Sequence, residues 1–435
     1  MNFLNNFLEK YNHALQRLSL ALSIRGLGLV FSITVTFLLI DILDARNLGI
    51  FYFIISLARM TSIIASLGIF AAIIPEFSKA PIEKKEAILS QSIIPCLLIS
   101  LVFFLLINSI FFFFPDSINE TFWYVPFFSI LVVTYLIQFN LYNYFNCKQK
   151  LGLTSFMLEG NGRNFFFLPL VLIVYFNIEP SNYDIRILVN LLIISSVFTV
   201  IVGLINYDFR GLKKNFSLKT YFSFHKTGIK FLPSVLVSSG APSIYEIYIN
   251  LFFGPVTLAV FGVANRVLAP LMIHNDLLVL NYAKASSFYS NNQFQLANDL
   301  HKRSVAFSFS IALLLMTLFY FIGLNLISEF INFNKLPNIK EVIFIFFISS
   351  LVQSVCNFSL HFLRNIGDYF SITLIEAISV IGTVILMYIF SDFGIIGAAI
   401  AILSGRLFMQ LSGFIYAKYF YKIPMVLAKP QKFNP

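Results

Sequence analysis

Long apolar segments recur along the whole chain, from Leu18 to Phe414, and they constrain the fold more than any other feature. A stretch of about 20 apolar residues is long enough to cross a bilayer as a helix. Six such stretches precede a long polar break, at roughly 18–41, 48–74, 87–114, 122–145, 153–176 and 185–206. Six more follow it, at roughly 228–252, 256–282, 304–327, 341–363, 370–390 and 394–416. A signal peptide or a single anchor would be confined to one segment, so the pattern predicts an all-α polytopic membrane protein.

The composition agrees with this fold class and excludes others. The chain is 58% hydrophobic and 11% charged, whereas about 25% of the residues in a soluble domain are charged. The net charge of +10 comes from lysines and arginines spread over the loops, so we expect no nucleic-acid partner. The three cysteines fall in or beside predicted helices on the reducing side and imply no disulfide framework. We expect the 53 phenylalanines to face lipid, where isoleucine would serve equally well, and we assign them no function.

The distribution of positive charge predicts the orientation. Outside the spans, nearly every lysine and arginine falls on the side of the N-terminus; the exceptions are Arg46, Arg186, Lys335 and Lys340. Cytoplasmic loops carry such an excess of positive charge. If one helix were removed from the count, the positively charged loops would no longer all fall on the same side of the membrane. The sequence therefore predicts twelve transmembrane helices with the N- and C-termini in the cytoplasm.

The long polar break divides the chain into two halves. We predict an N-terminal six-helix bundle over 1–206, a cytoplasmic basic connector over 207–227, a C-terminal six-helix bundle over 228–416 and a basic cytoplasmic tail over 417–435. We interpret the connector as an amphipathic segment whose positive charge fixes the topology and contacts anionic membrane lipids.

Matching residues in the two halves suggest an internal repeat. Glu159 and Glu376 fall at one repeat position, and 48–51 (LGIF) matches 258–261 (LAVF), with an arginine following in both cases. The matches favour two parallel-repeat bundles that face each other across a cavity, an architecture found among transporters.

We assign candidate roles to eight charged side chains that lie well inside the predicted spans, away from their first and last residues, where a charge costs about 2.5 to 3.5 kcal/mol on insertion scales. Four are arginines about 10 to 12 residues into their spans, near the predicted midplane: Arg59, Arg163, Arg266 and Arg406. Guanidinium groups bind phosphate oxygens in bidentate fashion, so these arginines predict a cationic cavity for an anionic substrate.

The other four are acids nearer the ends of the spans: Glu159, Glu246, Asp276 and Glu376. They are candidates for proton carriers or for counter-ions of the arginines. The alternative of mutual neutralisation is strongest for Glu159 and Arg163, whose i,i+4 spacing allows a pair along one helix.

Two weaker features lie in the fourth and seventh stretches. Tyr135, Gln138 and Tyr142 share one face of the fourth helix and are candidates for contacts with sugar hydroxyls; interhelical hydrogen bonding is the alternative. In the seventh stretch, Pro233 and Pro242 predict a kink, because proline cannot donate to the helical ladder.

Motifs for catalysis are absent from the sequence. It contains no G-x-x-x-x-G-K-[ST], H-E-x-x-H or G-x-S-x-G, and its histidines show no metal-ligand spacing. We therefore predict that the protein is not an enzyme and has no metal and no cofactor.

Three segments give the chain a resemblance to a known family. They are 45–51 (ARNLGIF), 246–266 with its LFFGP and VFGVANR motifs, and 393–401 (FGIIGAAIA). With these motifs the whole chain resembles the polysaccharide or O-antigen flippases of the multidrug/oligosaccharidyl-lipid/polysaccharide exporter superfamily. It departs from that pattern at Glu246, where aspartate is frequent, and at Phe261, where tyrosine is common.

The resemblance implies a function, a location and partners. It implies a flippase that moves an undecaprenyl-diphosphate-linked oligosaccharide, such as an O-antigen repeat unit for lipopolysaccharide biosynthesis, across the bacterial inner membrane by alternating access. The implied partners are the lipid-linked oligosaccharide, membrane lipids, and the polysaccharide polymerase with its chain-length machinery.

Two alternatives stay open. A multidrug exporter of the same superfamily would prefer an acidic, aromatic cavity for cationic amphiphiles, and four midplane arginines argue against it. A membrane-embedded polymerase or glycosyltransferase would commonly need a large outward loop or an acidic metal-binding motif, and the sequence shows neither.

Overall fold

The chain folds into helices that follow the predicted apolar stretches. The computed structural model describes residues 2–79, 85–86, 89, 91–113, 125–158, 160–178, 184–209, 218–269, 288, 291, 293–325, 335–366 and 368–421, and the regular secondary structure in these ranges is helical. The first helices are α1 (Asn2–Ile42), α2 (Ala45–Ala65), α3 (Ile69–Lys79), α4 (Ile93–Phe113), α5 (Val125–Cys147), α6 (Leu151–Met157), α7 (Asn161–Asn177) and α8 (Ile185–Ile205). They continue with α9 (Leu218–Ser238), α10 (Ala241–Leu268), α11 (Phe294–Leu318), α12 (Ile339–Ile366), α13 (Tyr369–Ile389) and α14 (Gly394–Tyr421).

The helices have the length and surface of a membrane protein. Within the described ranges, eight helical segments are long and apolar enough to cross a bilayer. Large apolar side chains are left uncovered on these helices, including Phe370 at 79% exposure and Ile205 at 76%. Soluble monomers rarely expose apolar surface on this scale. The chain is therefore a multi-pass helical membrane protein, while the number of crossings and the orientation of the termini stay predictions.

Aspartates begin several of the helices. Asp44 accepts a hydrogen bond from the main-chain N–H of Asn47 at 2.7 Å, before α2. Asp184 accepts from the N–H of Arg186 at 2.9 Å, before α8. An acidic side chain in this position satisfies an N–H group that has no partner within the helix. These corners separate neighbouring helices sharply, as the short polar breaks in the sequence predict.

Several apolar stretches are divided into two helices. The stretch 48–74 is interrupted at 66–68, where the Ser66 hydroxyl accepts from the N–H of Gly68 at 3.1 Å. The stretch 153–176 is interrupted between α6 and α7, where Gly160 has φ 82°. Discontinuous helices are tolerated at membrane depth where protein or a water-lined cavity surrounds the broken backbone.

The seventh stretch also contains a break, which confirms the predicted kink. The helix α9 ends at Ser238 and α10 begins at Ala241, with a turn at 239–240. Gly254 then has φ 82° and ψ 172°, so α10 consists of two helical segments that meet at the Gly254–Pro255 corner. Glycine adopts this positive φ without the strain that a Cβ would bring. The corner lies between the predicted spans 228–252 and 256–282.

The chain forms two compact units. The first contains 1–43 and 54–243, and the second contains 44–53 and 244–435. From Leu218 onward the segment predicted as a connector is already helical, as the start of α9. The predicted boundaries of the two bundles and of the connector stay a prediction.

Each unit has its own packed interior. In the first unit, buried side chains from α3, α4, α5 and α9 meet around Ile73, Ile93, Leu141, Phe145 and Phe224. In the second unit, α12 and α13 both pack against α14, and α11 packs against α12. The second interior includes α14, the helix that carries Arg406.

Candidate functional site

The four predicted arginines are divided between the two units. Arg59 and Arg163 lie in the first unit, and Arg266 and Arg406 lie in the second. Two of the predicted acids, Glu159 and Asp276, lie outside the described residues, so the proposed pairing of Glu159 with Arg163 stays a prediction.

Arg163 contacts Tyr135, one of the predicted sugar-contact residues. It is the third residue of α7, in the first turn after the break at Gly160 rather than in the middle of a continuous helix. Its Nη1 donates a hydrogen bond to the Tyr135 hydroxyl, and its guanidinium carbon lies 5.4 Å from the centre of the Tyr135 ring. The structure thus brings together two residues that the sequence assigned separately, one to the anion and one to the sugar.

Aromatic rings continue from Tyr135 along the first unit. Tyr135 stacks with Phe139 at 6.3 Å between ring centres, and Phe139 stacks with Phe70 of α3 at 5.2 Å. Offset-stacked rings at such distances add about 0.5 to 1.5 kcal/mol per pair beyond the area they bury. Tyr135 is therefore fixed by the helix it lies on and by its neighbours, and Arg163 rests on a rigid ring.

The other two predicted sugar-contact residues have structural contacts. Gln138 is buried and donates from Nε2 to the main-chain oxygen of Met157 at 3.1 Å, which ties α5 to α6. Tyr142 is partly buried and packs against the apolar interior of the first unit. Interhelical hydrogen bonding, the alternative in the sequence analysis, describes the contact of Gln138.

Arg59 contacts the break between α9 and α10. Its Nη2 donates to the main-chain oxygen of Ser239 at 3.3 Å. Ser239 lies in the turn after the last residue of α9, where the helix dipole leaves partial negative charge. A cation near this end of a helix is stabilising, so Arg59 links α2 to the break.

Arg266 stacks on a tyrosine of the second unit. Its guanidinium carbon lies 3.9 Å from the centre of the Tyr52 ring, and its Nη1 donates to the main-chain oxygen of Gly262 at 3.0 Å. A Cβ added at Gly262 would lie 2.1 Å from Tyr52 Cδ2. The absence of a side chain at Gly262 thus leaves the slot that Tyr52 occupies, one turn from Arg266.

Arg406 lies over a phenylalanine that the composition argument treated as lipid-facing. Its guanidinium carbon is 5.2 Å from the centre of the Phe346 ring. Phe346 is only 1% exposed and meets Phe261 edge-to-face at 5.4 Å. Phe346 therefore does not face lipid, and its ring is in contact with the guanidinium group of Arg406.

The described acids differ in burial. Glu376 on α13 is only 3% exposed, and Tyr245 lies within electrostatic range of both Glu376 and Arg406. Glu246, the next residue along α10, is partly exposed. The burial of Glu376 keeps it among the candidates for a proton carrier or a counter-ion.

The contacts described above share one property. They are made to ring faces, a phenolic hydroxyl and main-chain oxygens, which are neutral groups. Such partners orient a guanidinium group without cancelling its charge. Because the N–H groups of a guanidinium lie in its plane, stacking on one face leaves the edges able to donate to an anion.

The sequence analysis missed the aromatic residues of these sites. It assigned no role to Tyr52, Tyr245 or Phe346. A local sequence signal exists only for the contact of Tyr52 with Arg266, because Gly262 and Arg266 are spaced i,i+4 within the VFGVANR motif. That spacing places a small residue and an arginine on one helix face.

Solved structures with a similar fold are membrane transporters. An inward-facing multidrug resistance MATE family transporter of the MOP superfamily superposes with a TM-score of 0.67 at 15% identity, covering 93% of this chain and 97% of its own. The lipid II flippase MurJ, in an inward closed conformation, gives a TM-score of 0.66 at 17% identity, and the match covers 93% of this chain and 87% of MurJ. A MOP superfamily transporter from Pyrococcus furiosus, described as having a binding pocket of reverse polarity, gives a TM-score of 0.60 at 14% identity. That match covers 92% of this chain and 93% of the transporter.

Sequence comparisons add no closer relative. No protein-family model matches the chain, and no curated protein sequence matches it significantly. At these low identities the structural similarity shows the fold alone. The chain has the fold of MOP superfamily transporters, which includes both multidrug exporters and a lipid-linked substrate flippase.

Proposed function

We propose that this protein is a flippase that moves an undecaprenyl-diphosphate-linked oligosaccharide from the inner to the outer leaflet by alternating access. One observation carries the proposal: three of the four predicted intramembrane arginines, Arg163, Arg266 and Arg406, lie over aromatic rings. A ring face orients a guanidinium group without cancelling its charge. Positive charge within a membrane protein favours an anionic substrate.

The chemistry of the arginines fits a diphosphate. A guanidinium group stays protonated in a low-dielectric site and donates two parallel hydrogen bonds to phosphate oxygens. Tyr135, adjacent to Arg163, adds a hydroxyl and an aromatic face beside this donor group. We propose Arg59, Arg163, Arg266 and Arg406 as diphosphate-binding residues and Tyr135 as the residue toward the sugar, whereas Gln138 and Tyr142 keep the structural contacts described above.

The surroundings of the substrate also belong to the proposal. It places the protein in the bacterial inner membrane, in the synthesis of O-antigen, lipopolysaccharide or another surface polysaccharide. The polymerase and its chain-length machinery would then take the exported repeat unit.

The membrane potential supplies a driving force for this direction. In a cell that is negative inside, outward movement of negative charge is favourable by about 2.3 kcal/mol per charge per 100 mV if the charge crosses the full potential. Glu159, Glu246, Asp276 and Glu376 are proposed as proton carriers or counter-ions. The deep burial of Glu376 makes it the strongest candidate among the described acids.

A multidrug exporter is the second candidate function. The fold does not discriminate, because a MATE transporter and MurJ are about equally similar to this chain. Buried Glu376 and the many aromatic residues favour cationic amphiphiles as substrates. The four intramembrane arginines favour the opposite charge, so we place this candidate second.

Complementation tests the proposal. A flippase-deleted strain that carries this protein's native sugar-assembly genes receives the wild type or one of four variants: Arg59→Ala, Arg163→Ala, Arg266→Ala and Arg406→Ala. The matched control is Arg186→Ala, because Arg186 is 53% exposed and lies at the start of α8 beside Asp184. Surface polysaccharide is scored at equal membrane levels.

The expected result is rescue by the wild type and by the control, with loss of rescue in the intramembrane variants. If the wild type fails although it inserts well and the lipid-linked precursor accumulates, the flippase proposal is wrong. The second candidate then predicts that the wild type raises resistance to cationic dyes in a pump-deficient strain. Rescue by every variant would retain the flippase and remove the arginines from the site.

A further inference from the structure

The contact between Tyr52 and Arg266 is the most closely packed of the arginine sites. The distance from the guanidinium carbon to the ring centre is 3.9 Å, compared with 5.4 Å at Tyr135 and 5.2 Å at Phe346. Tyr52 is 1% exposed, so the ring is buried, whereas Arg266 remains partly exposed. A buried ring beneath a partly exposed guanidinium forms a platform that holds a charge near an accessible surface.

Two further contacts fix the platform. The ring of Tyr52 fills the space beside Gly262, where any side chain would collide with it. The main-chain oxygen of Gly262 also accepts from Arg266 Nη1. Gly262 therefore positions the ring and anchors one nitrogen of the guanidinium, so the arginine is held from its face and from one edge. The remaining N–H groups lie in the plane of the guanidinium and point away from the ring face.

We propose that Tyr52 is a positioning residue that pre-orients Arg266 to bind the diphosphate group of the substrate. The inference rests on the proposed function for the class of substrate. A freely rotating arginine side chain loses conformational entropy when it is fixed. A stacked arginine has lost much of that freedom before the anion arrives, and pre-organised ligands bind more tightly for this reason.

Arginine modification tests the positioning directly. The full-length protein in detergent is treated with phenylglyoxal, and modification of Arg266 is followed by peptide-resolved mass spectrometry with and without inorganic pyrophosphate. Sulfate at equal ionic strength controls for general anion effects. The variants are Tyr52→Phe, which keeps the ring, and Tyr52→Leu, which removes it. Arg186 in the same sample is an internal reference for an exposed arginine.

The expected result has two parts. Without pyrophosphate, Arg266 is modified faster in Tyr52→Leu than in the wild type or Tyr52→Phe, because one face of the guanidinium is uncovered. With pyrophosphate, the wild type and Tyr52→Phe are protected at similar concentrations. Tyr52→Leu needs roughly 2- to 30-fold more pyrophosphate for equal protection, the range that a cation–π contact of this kind supplies.

Other outcomes overturn the inference. Equal protection of all three proteins would show that Tyr52 does not position Arg266, while the flippase function, judged by complementation, would be unaffected. Absence of protection in the wild type would remove Arg266 from the anion site and the positioning role with it. If Tyr52→Leu does not accumulate, Tyr52→Met replaces it, because the flexible methionine side chain fills irregular gaps.

Discussion

Arg59 of α2 donates a hydrogen bond to the main-chain oxygen of Ser239, across the short turn that separates α9 from α10. The residues are 180 positions apart in the chain. Pro242 has no N–H group, so the helical ladder cannot continue unbroken through this turn. The arginine therefore contacts the backbone at the point where the seventh apolar stretch is weakest.

Arg59→Ala is expected to destabilise the folded protein as well as to reduce transport. Hydrogen bonds to charged groups contribute about 1.5 to 3 kcal/mol to the free energy of unfolding. Because Arg59 is partly exposed, we expect its substitution to cost an amount near or below the lower end of this range. Arg59→Lys keeps a positive charge near the carbonyl and should recover most of the stability. Thermal unfolding in detergent measures both variants. An unchanged melting temperature in Arg59→Ala would show that the Ser239 contact contributes nothing to stability.

Tyr135 provides the second prediction. Tyr135→Phe removes the hydroxyl that accepts from Arg163 but keeps the ring, so the flipping rate should fall roughly 2- to 10-fold, the equivalent of one ordinary hydrogen bond. Tyr135→Leu also removes the stacking with Phe139 and should reduce the rate further. The rate is measured with a lipid-linked oligosaccharide in proteoliposomes. Tyr419→Phe, at an exposed position near the end of α14, is the control and should behave as the wild type.

The sequence predicted the elements that depend on local chemistry. Long apolar stretches predicted helices, and Pro242 predicted the break in the seventh stretch. Each of these signals acts through the residue itself and its close neighbours in the chain. Periodicity and helix-breaking residues therefore sufficed for the fold class.

The interruptions inside apolar stretches were not predictable in the same way. Leu67 has φ 47°, a backbone conformation that leucine rarely adopts, and no turn residue other than Gly68 marks the break. The close approach of Gly68 to the main-chain oxygen of Gly228 holds this segment in the fold. This contact joins residues far apart in the sequence, so the residues next to Gly68 in the chain do not predict it.

The candidate site was predictable only in part. Arginines in apolar stretches are conspicuous because their insertion is costly, so the four positions followed from the sequence. Their aromatic partners belong to a chain with 53 Phe and 20 Tyr, where composition gives no reason to choose Tyr52 or Phe346. Packing selects them, through the slot beside Gly262 and the contact of α12 with α14.

The packing of α13 against α14 gives a third prediction. A Cβ at Gly405 would lie 1.7 Å from Thr383 Oγ1, and Thr383 itself donates to the main-chain oxygen of Ser379 at 2.8 Å. Gly405→Ala should therefore destabilise the protein by about 1 to 3 kcal/mol, as overpacking typically does. Gly382→Ala on α13 is the control, because no atom lies within 4 Å of the added carbon.

A second substitution separates overpacking from other effects. Thr383→Ala removes the atom that collides first, so Gly405→Ala combined with Thr383→Ala should be more stable than Gly405→Ala alone. The next nearest atom is Thr383 Cβ at 3.0 Å, which makes the recovery partial. Melting temperatures of the four proteins complete the cycle. If the two substitutions are simply additive, the collision with Thr383 is not the cause.

Orientation in the membrane is the last prediction, and it concerns the short corners. The excess of positive charge places the corner before α14 outside the cell and the end of α5 in the cytoplasm. Asp392 and Asn146 are exposed at these two places. On a background without Cys96, Cys147 and Cys356, Asp392→Cys should react with a membrane-impermeant maleimide in intact cells. Asn146→Cys should react only after the membrane is opened. The reverse pattern would invert the topology and with it the outward direction of transport, because the potential would then oppose the proposed movement of the diphosphate.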